Sequence, residues 1–172
     1  MKKIKLTRGK FAWVDDKDFE RMNQFKWAAM PRKDGMDYYA YRVTGWNETK
    51  RTIYFHVFLT GCKKPLQVDH VNGSGLDNRR SNLRICTRSQ NGMNRAPRRL
   101  HLKKYKSPFK GITFDKSCGR WIAQLRLNGK TKYLGRHETA ELAAKAYDVG
   151  AIILFGKFAR TNQAMGCLEG AW

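Results

Sequence analysis

The residues whose types suggest chemistry are Asp69 and His70, which are neighbours in the apolar segment 66–71. Hydrolysis of a phosphodiester needs a base that deprotonates water. It also needs a cation that neutralises the charge on the phosphorus and on the departing 3′ oxygen. A carboxylate and an imidazole can divide this work between metal binding and proton transfer. The pair is therefore predicted to bring one divalent metal ion and one phosphodiester together.

The elements around the pair decide where the two side chains point. Residues 66–71 are apolar enough to form a short strand, and the Asn-Gly-Ser-Gly run at 72–75 favours a turn directly after it. Residues 83–86 alternate apolar and polar side chains, as a second short strand would. The pattern places Asp69 and His70 at a strand end that faces a loop.

A helix is predicted to follow the second strand, because Thr87 and Gln90 fit the spacing of a capping box. Asn91 then lies in the first turns of that helix. A strand–loop–strand–helix hairpin would bring Asn91 back over Asp69, giving two oxygen ligands for one Mg²⁺ or Mn²⁺ ion per site. His70 remains as the general base, with a reference pKa of about 6.5.

The run from Asp69 to Asn91 resembles the H-N-H, or ββα-metal, homing endonucleases of phages and introns, and Asn82 also matches that family's spacing. The resemblance implies that His70 is the general base and that Asp69 and Asn91 hold the metal. It makes Asn82 a catalytic-site residue whose side chain braces the loop between the strands. The products would carry 5′-phosphate and 3′-hydroxyl ends.

His56 is a further catalytic candidate by the same resemblance. Its counterpart in that family is a histidine or basic residue on the short helix before the hairpin, where it reaches a phosphate or a metal-bound water. A half-buried histidine within the aromatic cluster at 54–58 is an equally open interpretation.

The charge of the chain points to a polyanionic partner. The 172 residues include 35 Lys and Arg against 14 Asp and Glu, a formal charge of +21, and residues 61–107 carry +10 of it. No 18-residue apolar stretch and no signal-peptide core occur, so we expect no membrane association. The expected protein is a monomer that acts on double-stranded DNA in the host-cell cytosol.

The basic residues predicted to contact DNA in and after the hairpin are Arg79, Arg80, Arg84, Arg98, Arg99, Lys103 and Lys104. The last four belong to a basic run with Pro97 and no clean periodicity, which is typical of a linker. The four cysteines are far apart and form no Cys-x-x-Cys pair, so we expect reduced thiols and no structural zinc.

The first sixty residues are predicted to be short strands with one helix. The helix covers 17–25 after the acidic Asp15 and Asp16, which suit a helix N-terminus. Strands are predicted at 27–30, 38–44 and 51–55, joined by turns at 33–35 and 45–47. The aromatic side chains of these strands are interpreted as core residues that support the hairpin.

The region after residue 107 has a different pattern. Residues 120–127 alternate strictly, Asn128-Gly129 predicts a hairpin turn, and 130–135 return as a third strand. Apolar and small residues then recur at helical spacing over 140–155, followed by Gly156 as a stop. The predicted architecture is a three-stranded antiparallel sheet packed on one helix.

This region closely resembles the plant APETALA-two/ethylene-response-factor DNA-binding domain. The resemblance is carried by Gly111-Ile112, Trp121-Ile122-Ala123, Tyr133-Leu134-Gly135, Ala143-Ala144 and Ala146-Tyr147-Asp148. It implies that the sheet enters the major groove while the helix lies behind it. The predicted DNA contacts on the face opposite the helix are Lys110, Thr113, Gln124, Arg126, Thr131 and Tyr133, together with Asp115. Arg126 is the best candidate for reading a base, because a guanidinium can grip the two acceptors of guanine.

The sequence thus predicts an α+β chain with an H-N-H nuclease domain at 1–94, whose ββα-metal core covers 66–94. A basic linker at 95–107, a DNA-binding domain at 108–163 and a tail at 164–172 follow. The predicted function is that of a site-specific homing endonuclease with a single-metal mechanism. A non-catalytic transcription regulator that uses the C-terminal sheet, and a protein that binds structured RNA, are the alternatives.

Overall fold

The structure, a computed structural model, describes residues 1–32, 37–96 and 107–168. It divides into two compact units, Met1–Asn91 and Gly92–Trp172. The predicted α+β class is confirmed. The turn predicted at 33–35 lies outside the described residues, as do Arg98, Arg99, Lys103 and Lys104 of the predicted linker. Among the described residues, no helix is both long and apolar enough to cross a bilayer.

The first unit begins with small antiparallel sheets and two helices. Its first elements are β1 (Lys2–Lys5), β2 (Phe11–Val14), α1 (Asp16–Asn23), β3 (Ala28–Pro31), β4 (Tyr38–Thr44), β5 (Arg51–Tyr54) and α2 (Phe55–Thr60). Strands β1 and β2 pair with each other, and β3, β4 and β5 form a three-stranded sheet with β4 in the middle. The predicted short strands and the helix predicted at 17–25 are confirmed, with ends shifted by one or two residues, and α2 is a second helix within the first sixty residues.

One core holds these elements together. Ile4, Val14, Met22 and Phe55 come from β1, β2, α1 and α2, and each is at most 2% exposed. Their burial explains why the short strands persist, since an isolated two-stranded hairpin is only marginally stable in water.

The ββα hairpin lies at the end of the first unit, and Gly92 and Met93 at the end of its helix belong to the second unit. It consists of β6 (Gln67–His70), β7 (Leu83–Cys86) and α3 (Arg88–Met93), with β6 and β7 antiparallel. The predicted capping box is confirmed, because Thr87 N donates to Gln90 Oε1 at 2.9 Å and Gln90 N donates to Thr87 Oγ1 at 3.2 Å. The two reciprocal bonds fix the point at which α3 leaves the strand.

The second unit is a sheet on a helix, as predicted. It contains β8 (Ile112–Asp115), β9 (Arg120–Leu127), β10 (Lys130–His137) and α4 (Ala140–Phe155), with β9 central in the antiparallel sheet. Asn128 and Gly129 adopt φ angles of 51° and 78°, the positive values that a tight type I′ hairpin turn requires. Strand β10 continues past the predicted end at Gly135, because a register shift between Tyr133 and Arg136 carries the pairing on to His137.

Small residues let α4 lie close to the sheet. Ala143, Ala144 and Ala151 are fully buried. A Cβ added at Gly150 would lie 2.7 Å from Leu134 Cδ1, and one at Gly111 would collide with the ring of Tyr147. The helix can therefore pack at this distance only while these positions carry no larger side chain.

The prediction that Lys110 lies on the face opposite the helix is wrong. Its Nζ donates to the carbonyl oxygen of Met93 at 2.6 Å and lies 5.9 Å from the ring centroid of Tyr147, a residue of α4. The alternation of β8 begins only at Ile112, because Gly111, with a φ of 78°, turns the chain just before it. Partial burial lowers the pKa of Lys110 to about 8, and contact with DNA stays a prediction for this lysine.

A buried polar clasp ties the end of the described chain to α4. Asp148 Oδ1 accepts from the backbone N of Asn162 at 2.7 Å and from its Nδ2 at 2.9 Å, and Asp148 Oδ2 accepts from Gln163 N at 2.9 Å. Asn162 Oδ1 accepts from Lys110 N at 2.6 Å. Asp148 and Asn162 are both fully buried, so these bonds replace lost hydration.

Candidate active site

The β6–β7 ladder places Asp69 and His70 at the end of β6, as predicted. Asp69 lies directly opposite Arg84, and each of Asp69 and His70 is 6% exposed. Arg84 donates to Asp69 Oδ2 through Nε at 2.8 Å and through a terminal nitrogen at 2.6 Å. The buried carboxylate is thus oriented by a guanidinium on the neighbouring strand.

Asn82 closes the loop between the two strands. Its Oδ1 accepts from the backbone N of Asn72 at 2.9 Å, and its Nδ2 donates to the carbonyl oxygen of Asp77 at 2.7 Å. The main chain adds a bond from Val71 N to Asn82 O at 2.9 Å. One side chain thereby fixes both halves of the loop, and its role in catalysis stays a prediction.

The same loop is anchored to β2 and α1. Trp13 N donates to Leu76 O at 2.8 Å, and Asn78 N donates to Trp13 O at 2.9 Å, so the loop extends the edge of β2. Arg80 donates to both carboxylate oxygens of Asp18 at 2.7 Å. Its backbone N donates to Asp15 Oδ2 at 2.8 Å. These bonds tie the loop to elements more than sixty residues earlier in the chain.

The three hairpin arginines predicted to bind DNA all have carboxylate partners. Arg79 makes two bonds to Asp77, of 2.8 and 2.6 Å, while Arg80 and Arg84 bind Asp18 and Asp69 as described. Arg80 beside Asp18 holds the pKa of that carboxyl below its usual value. The arginines therefore have a structural use in the described residues, and contact with DNA stays a prediction for them.

His70 is held by an asparagine from the loop. Its Nε2 lies 3.3 Å from Oδ1 of Asn78, a fully buried residue. An imidazole nitrogen can donate or accept, so this contact orients the ring of His70 in either of its tautomers. Burial lowers the pKa of His70, against the raising effect of the bond to Asn78. The pKa of His70 therefore lies below the reference value of about 6.5.

His56 lies in α2 and touches the catalytic candidate. Its ring centroid is 4.9 Å from that of His70 in an edge-on arrangement, and it stacks on Tyr54 at 5.6 Å. Tyr39 packs on both histidines, at 5.5 and 6.0 Å. Burial, and secondarily His70, lowers the pKa of His56 to about 3. The buried Nδ1 of His56 has no hydrogen-bond partner among the described residues. The aromatic-cluster interpretation is correct, and a catalytic role stays a prediction.

Asn91 lies over the strand that carries Asp69. Its Nδ2 donates to Gln67 Oε1 at 2.8 Å, and Gln67 and Asp69, two positions apart in β6, point to the same face of the ladder. Because Asn91 uses its NH₂ group in the bond to Gln67, its amide oxygen takes no part in that bond. A carboxylate and an amide oxygen are the hard donors that Mg²⁺ or Mn²⁺ accepts, with waters in the other positions.

The fit of these two oxygen donors is the support for a metal ion at this site. No group of three or more His, Cys, Asp or Glu side chains within residues 1–32, 37–96 and 107–168 is arranged to hold a metal ion. Asp69 and Asn91 would therefore act as a pair that leaves most coordination positions to water, as Mg²⁺ prefers.

The outer face of the C-terminal sheet carries the remaining predicted DNA contacts. Thr131 pairs with Arg126 and Tyr133 pairs with Gln124, which places these four side chains on one face, away from α4. Thr113 shares that face, and a groove of about 390 Å³ is lined in part by Thr113, Gln124, Arg126 and Thr131. The alternation read from the sequence is confirmed here, while contact with DNA stays a prediction.

Several residues around the site were not found by sequence reasoning. Asn78, which holds His70, and Asp18, which holds Arg80, carry no pattern of their own, because each meets its partner through the fold. Tyr39 was interpreted as core, although it packs on both histidines. In the sequence Asn78 is only one more polar residue of a polar loop. That its side chain is buried is visible only in the structure.

Comparison with known proteins covers both units. An HNH endonuclease family model matches residues 58–93, which contain β6, β7 and α3. An uncharacterised HNH endonuclease of Acanthamoeba polyphaga mimivirus is 30% identical over 160 residues, covering 92% of this chain and 79% of the viral protein.

Plant transcription factors match as well. An AP2-like ethylene-responsive transcription factor of Arabidopsis thaliana is 40% identical over 63 residues, 37% of this chain and 13% of that protein. A dehydration-responsive element-binding protein of Oryza sativa is 34% identical over 110 residues, 62% of this chain and 45% of that protein. The chain spans less than half of either plant factor. With a viral relative matched along most of its length and the ββα hairpin in place, this chain belongs to the HNH endonuclease family and has an AP2-like C-terminal domain.

Proposed function

We propose that the protein is a site-specific DNA endonuclease of the homing type that hydrolyses one phosphodiester with one Mg²⁺ or Mn²⁺ ion per site. The observation that carries this proposal is the pair Asp69–His70 at the end of β6, both buried, with Nε2 of His70 bonded to Asn78. A surface turn would not bury a carboxylate and an imidazole side by side.

The mechanism follows from the side chains. His70 takes a proton from a water molecule as that water attacks the phosphorus. The bond from phosphorus to the 3′ oxygen breaks, and the 3′ oxygen leaves as a hydroxyl after taking up a proton from solvent. Asp69 and Asn91 would hold the metal ion, whose chemistry is neutralisation of charge on the phosphate and on the departing oxygen. The products are a 5′-phosphate and a 3′-hydroxyl.

The C-terminal sheet provides the anchor on double-stranded DNA in this proposal. Its outer face presents Gln124, Arg126 and Tyr133 together, and the relatives that match this region include plant factors whose names state transcription or element binding. Arg126, whose Nε is 3.1 Å from the carbonyl oxygen of Gly129, is held near the hairpin turn. We assign base reading to Arg126 and propose that the protein acts as a monomer.

A plasmid-nicking assay tests the nuclease. Wild-type protein with Mg²⁺ is expected to relax supercoiled DNA, whereas His70→Ala is expected to bind the same DNA equally well without cutting. His137→Gln, a histidine change in the second unit, is the matched control and should nick normally. If the wild type and the control bind DNA but neither cuts with any divalent metal, the protein is a non-catalytic regulator. Preferential binding of structured RNA would instead favour the RNA-binding alternative.

A further inference from the structure

The tip of the hairpin between β4 and β5 carries an unusually exposed tryptophan. Trp46 is 81% exposed, more than any other large hydrophobic side chain in the described residues of this protein. Tryptophan is highly buried on average, so an indole exposed to this degree is a candidate for contact with a partner. The tip is therefore a candidate contact surface.

The turn fixes the backbone of Trp46. Trp46 N donates to Thr49 Oγ1 at 3.0 Å, and the same hydroxyl donates to Trp46 O at 2.7 Å. Thr49 N also donates to Trp46 O at 3.1 Å. Gly45 has a φ of 80°, and a Cβ there would collide with the carbonyl of Thr49. The side chain is thus presented by a closed, hydrogen-bonded turn, which lowers the entropy lost when it binds.

The hairpin runs from the active site to this tip. Tyr39 at the start of β4 packs on His70 at 6.0 Å, and Thr44 at the end of β4 pairs with Arg51 of β5. Five residues at about 3.4 Å each place Thr44, two residues before Trp46, roughly 17 Å from Tyr39, which is about five base pairs of duplex. The hairpin has the length to contact DNA that lies in the active site.

One face of the hairpin is continuous with the histidine pair. Ala40 is fully buried and Arg42 stacks over Phe25 at 4.0 Å, so these alternate residues face the core. Tyr39 and Val43 therefore lie on the other face, which is the face that carries His56 and His70. Trp46 lies in the turn that follows β4.

The charge at the tip suits a nucleic acid. Lys50 and Arg51 follow the turn and are both exposed, and Glu48 is the single acidic residue between Gly45 and Arg51. An exposed aromatic ring beside two cations combines base stacking with phosphate neutralisation.

We propose that the β4–β5 hairpin is a DNA-contacting arm. The indole of Trp46 stacks on bases of the duplex about five base pairs from the cleaved phosphate, while Lys50 and Arg51 contact the backbone. The arm rests on the proposed nuclease function and adds to it a contact that fixes the distance between the cut and a distorted base step.

Binding to a 30-base-pair duplex, measured by fluorescence anisotropy, tests the arm in the non-cutting His70→Ala protein. Adding Trp46→Ala should weaken binding by about 5- to 100-fold, and Trp46→Phe should restore most of the loss. The salt dependence should not change, because indole is uncharged. Adding Lys50→Ala instead should lower the slope of log affinity against log salt by about 0.9. Phe11→Ala, at another exposed aromatic side chain of the same unit, is the matched control and should bind normally.

Tryptophan fluorescence provides an independent readout. The chain has five tryptophans, so the signal of Trp46 is the difference between the parent protein and its Trp46→Phe variant. Stacking on bases should quench that difference signal when DNA is added.

The outcomes separate the arm from the nuclease. Binding by Trp46→Ala within twofold of the parent, with no DNA-dependent quenching, would overturn the arm even if the wild type nicks plasmid. A Trp46-dependent affinity in a wild-type protein that does not nick would instead leave the arm in place and remove the proposed nuclease function.

Discussion

The two units use their polar side chains in opposite ways. Around the candidate active site, Arg79, Arg80 and Arg84 each grip a carboxylate, and Asn78 and Asn82 hold the catalytic candidate and its loop. On the C-terminal sheet, packing is done by small apolar residues behind the strands, and the polar side chains stand together on the outer face. A site that performs chemistry needs side chains that are held in fixed positions, whereas a surface that recognises a partner needs side chains that are exposed to that partner.

The second unit has one polar element that resembles the first, and its removal should have the largest effect. Asp148→Ala leaves the buried donors of Asn162 and Gln163 without a partner. We expect a loss of about 3–5 kcal/mol in the free energy of unfolding of this unit, measured by urea denaturation. Glu141→Ala, on the exposed side of α4, should change it by less than about 0.5 kcal/mol. Equal effects of the two changes would contradict a structural clasp.

Asn78→Ala tests whether the first unit fixes its base for catalysis. Without the contact from Asn78, the ring of His70 loses the group that orients it, so we expect nicking to fall about 100-fold, or about 2.7 kcal/mol in activation free energy. DNA binding should stay within twofold. The measurement is the single-turnover nicking rate, and Asn72→Ser, elsewhere in the loop, is the control. A normal rate in Asn78→Ala would show that the bond to His70 is not used.

Arg80→Ala tests whether a hairpin arginine stabilises the first unit through its carboxylate partner. The change leaves the buried carboxylate of Asp18 without its guanidinium, which should lower the unfolding free energy of the first unit by about 2 kcal/mol. The double variant Arg80→Ala with Asp18→Asn should recover part of this loss. A thermal melt of each protein measures the effect. If Arg80→Ala instead keeps its melting temperature and loses only DNA affinity, the arginine is a DNA contact.

The half-buried side chain of Lys110 predicts that the stability of the second unit depends on pH. Because the pKa of Lys110 falls to about 8 on folding from 10.5, the unfolded chain binds more protons between these values. The stability of the wild type relative to Lys110→Met should therefore rise as the pH increases from 8 towards 10.5, by on the order of 1–2 kcal/mol. Below pH 8 the difference should be constant. Denaturation curves of both proteins from pH 7 to 9.5 measure it, and a difference that falls with pH would contradict a buried ammonium.

The sequence predicted the local structural patterns correctly. The capping box of Thr87 and Gln90, the Asn128-Gly129 turn and the alternation of 120–127 all involve residues within a few positions of each other, and each is present in the structure. The prediction failed at Lys110, where one glycine before the strand changed the face. Alternation holds only inside a strand, and the exact start of a strand depends on tertiary pairing.

The partners and the environment of the site were beyond local reasoning. Asp18 meets Arg80 across 62 positions, and Asn78 reaches His70 only because the loop is anchored on β2. The lowered pKa of His70 has its main cause in burial. Burial is a property of packed elements, so a reference pKa assigned from the residue type alone was too high.

The sequence by itself determined the residue types and spacing of Asp69, His70, Asn82 and Asn91, and the periodicity that makes a sheet with one helix behind it. The tertiary structure decided which carboxylate each arginine binds, which residue contacts the ring of His70, and that Trp46 is exposed on a closed turn. The physical reason is range. Side-chain chemistry and backbone periodicity depend on residues within a few positions of each other. Burial and long-range pairing exist only once separate elements pack.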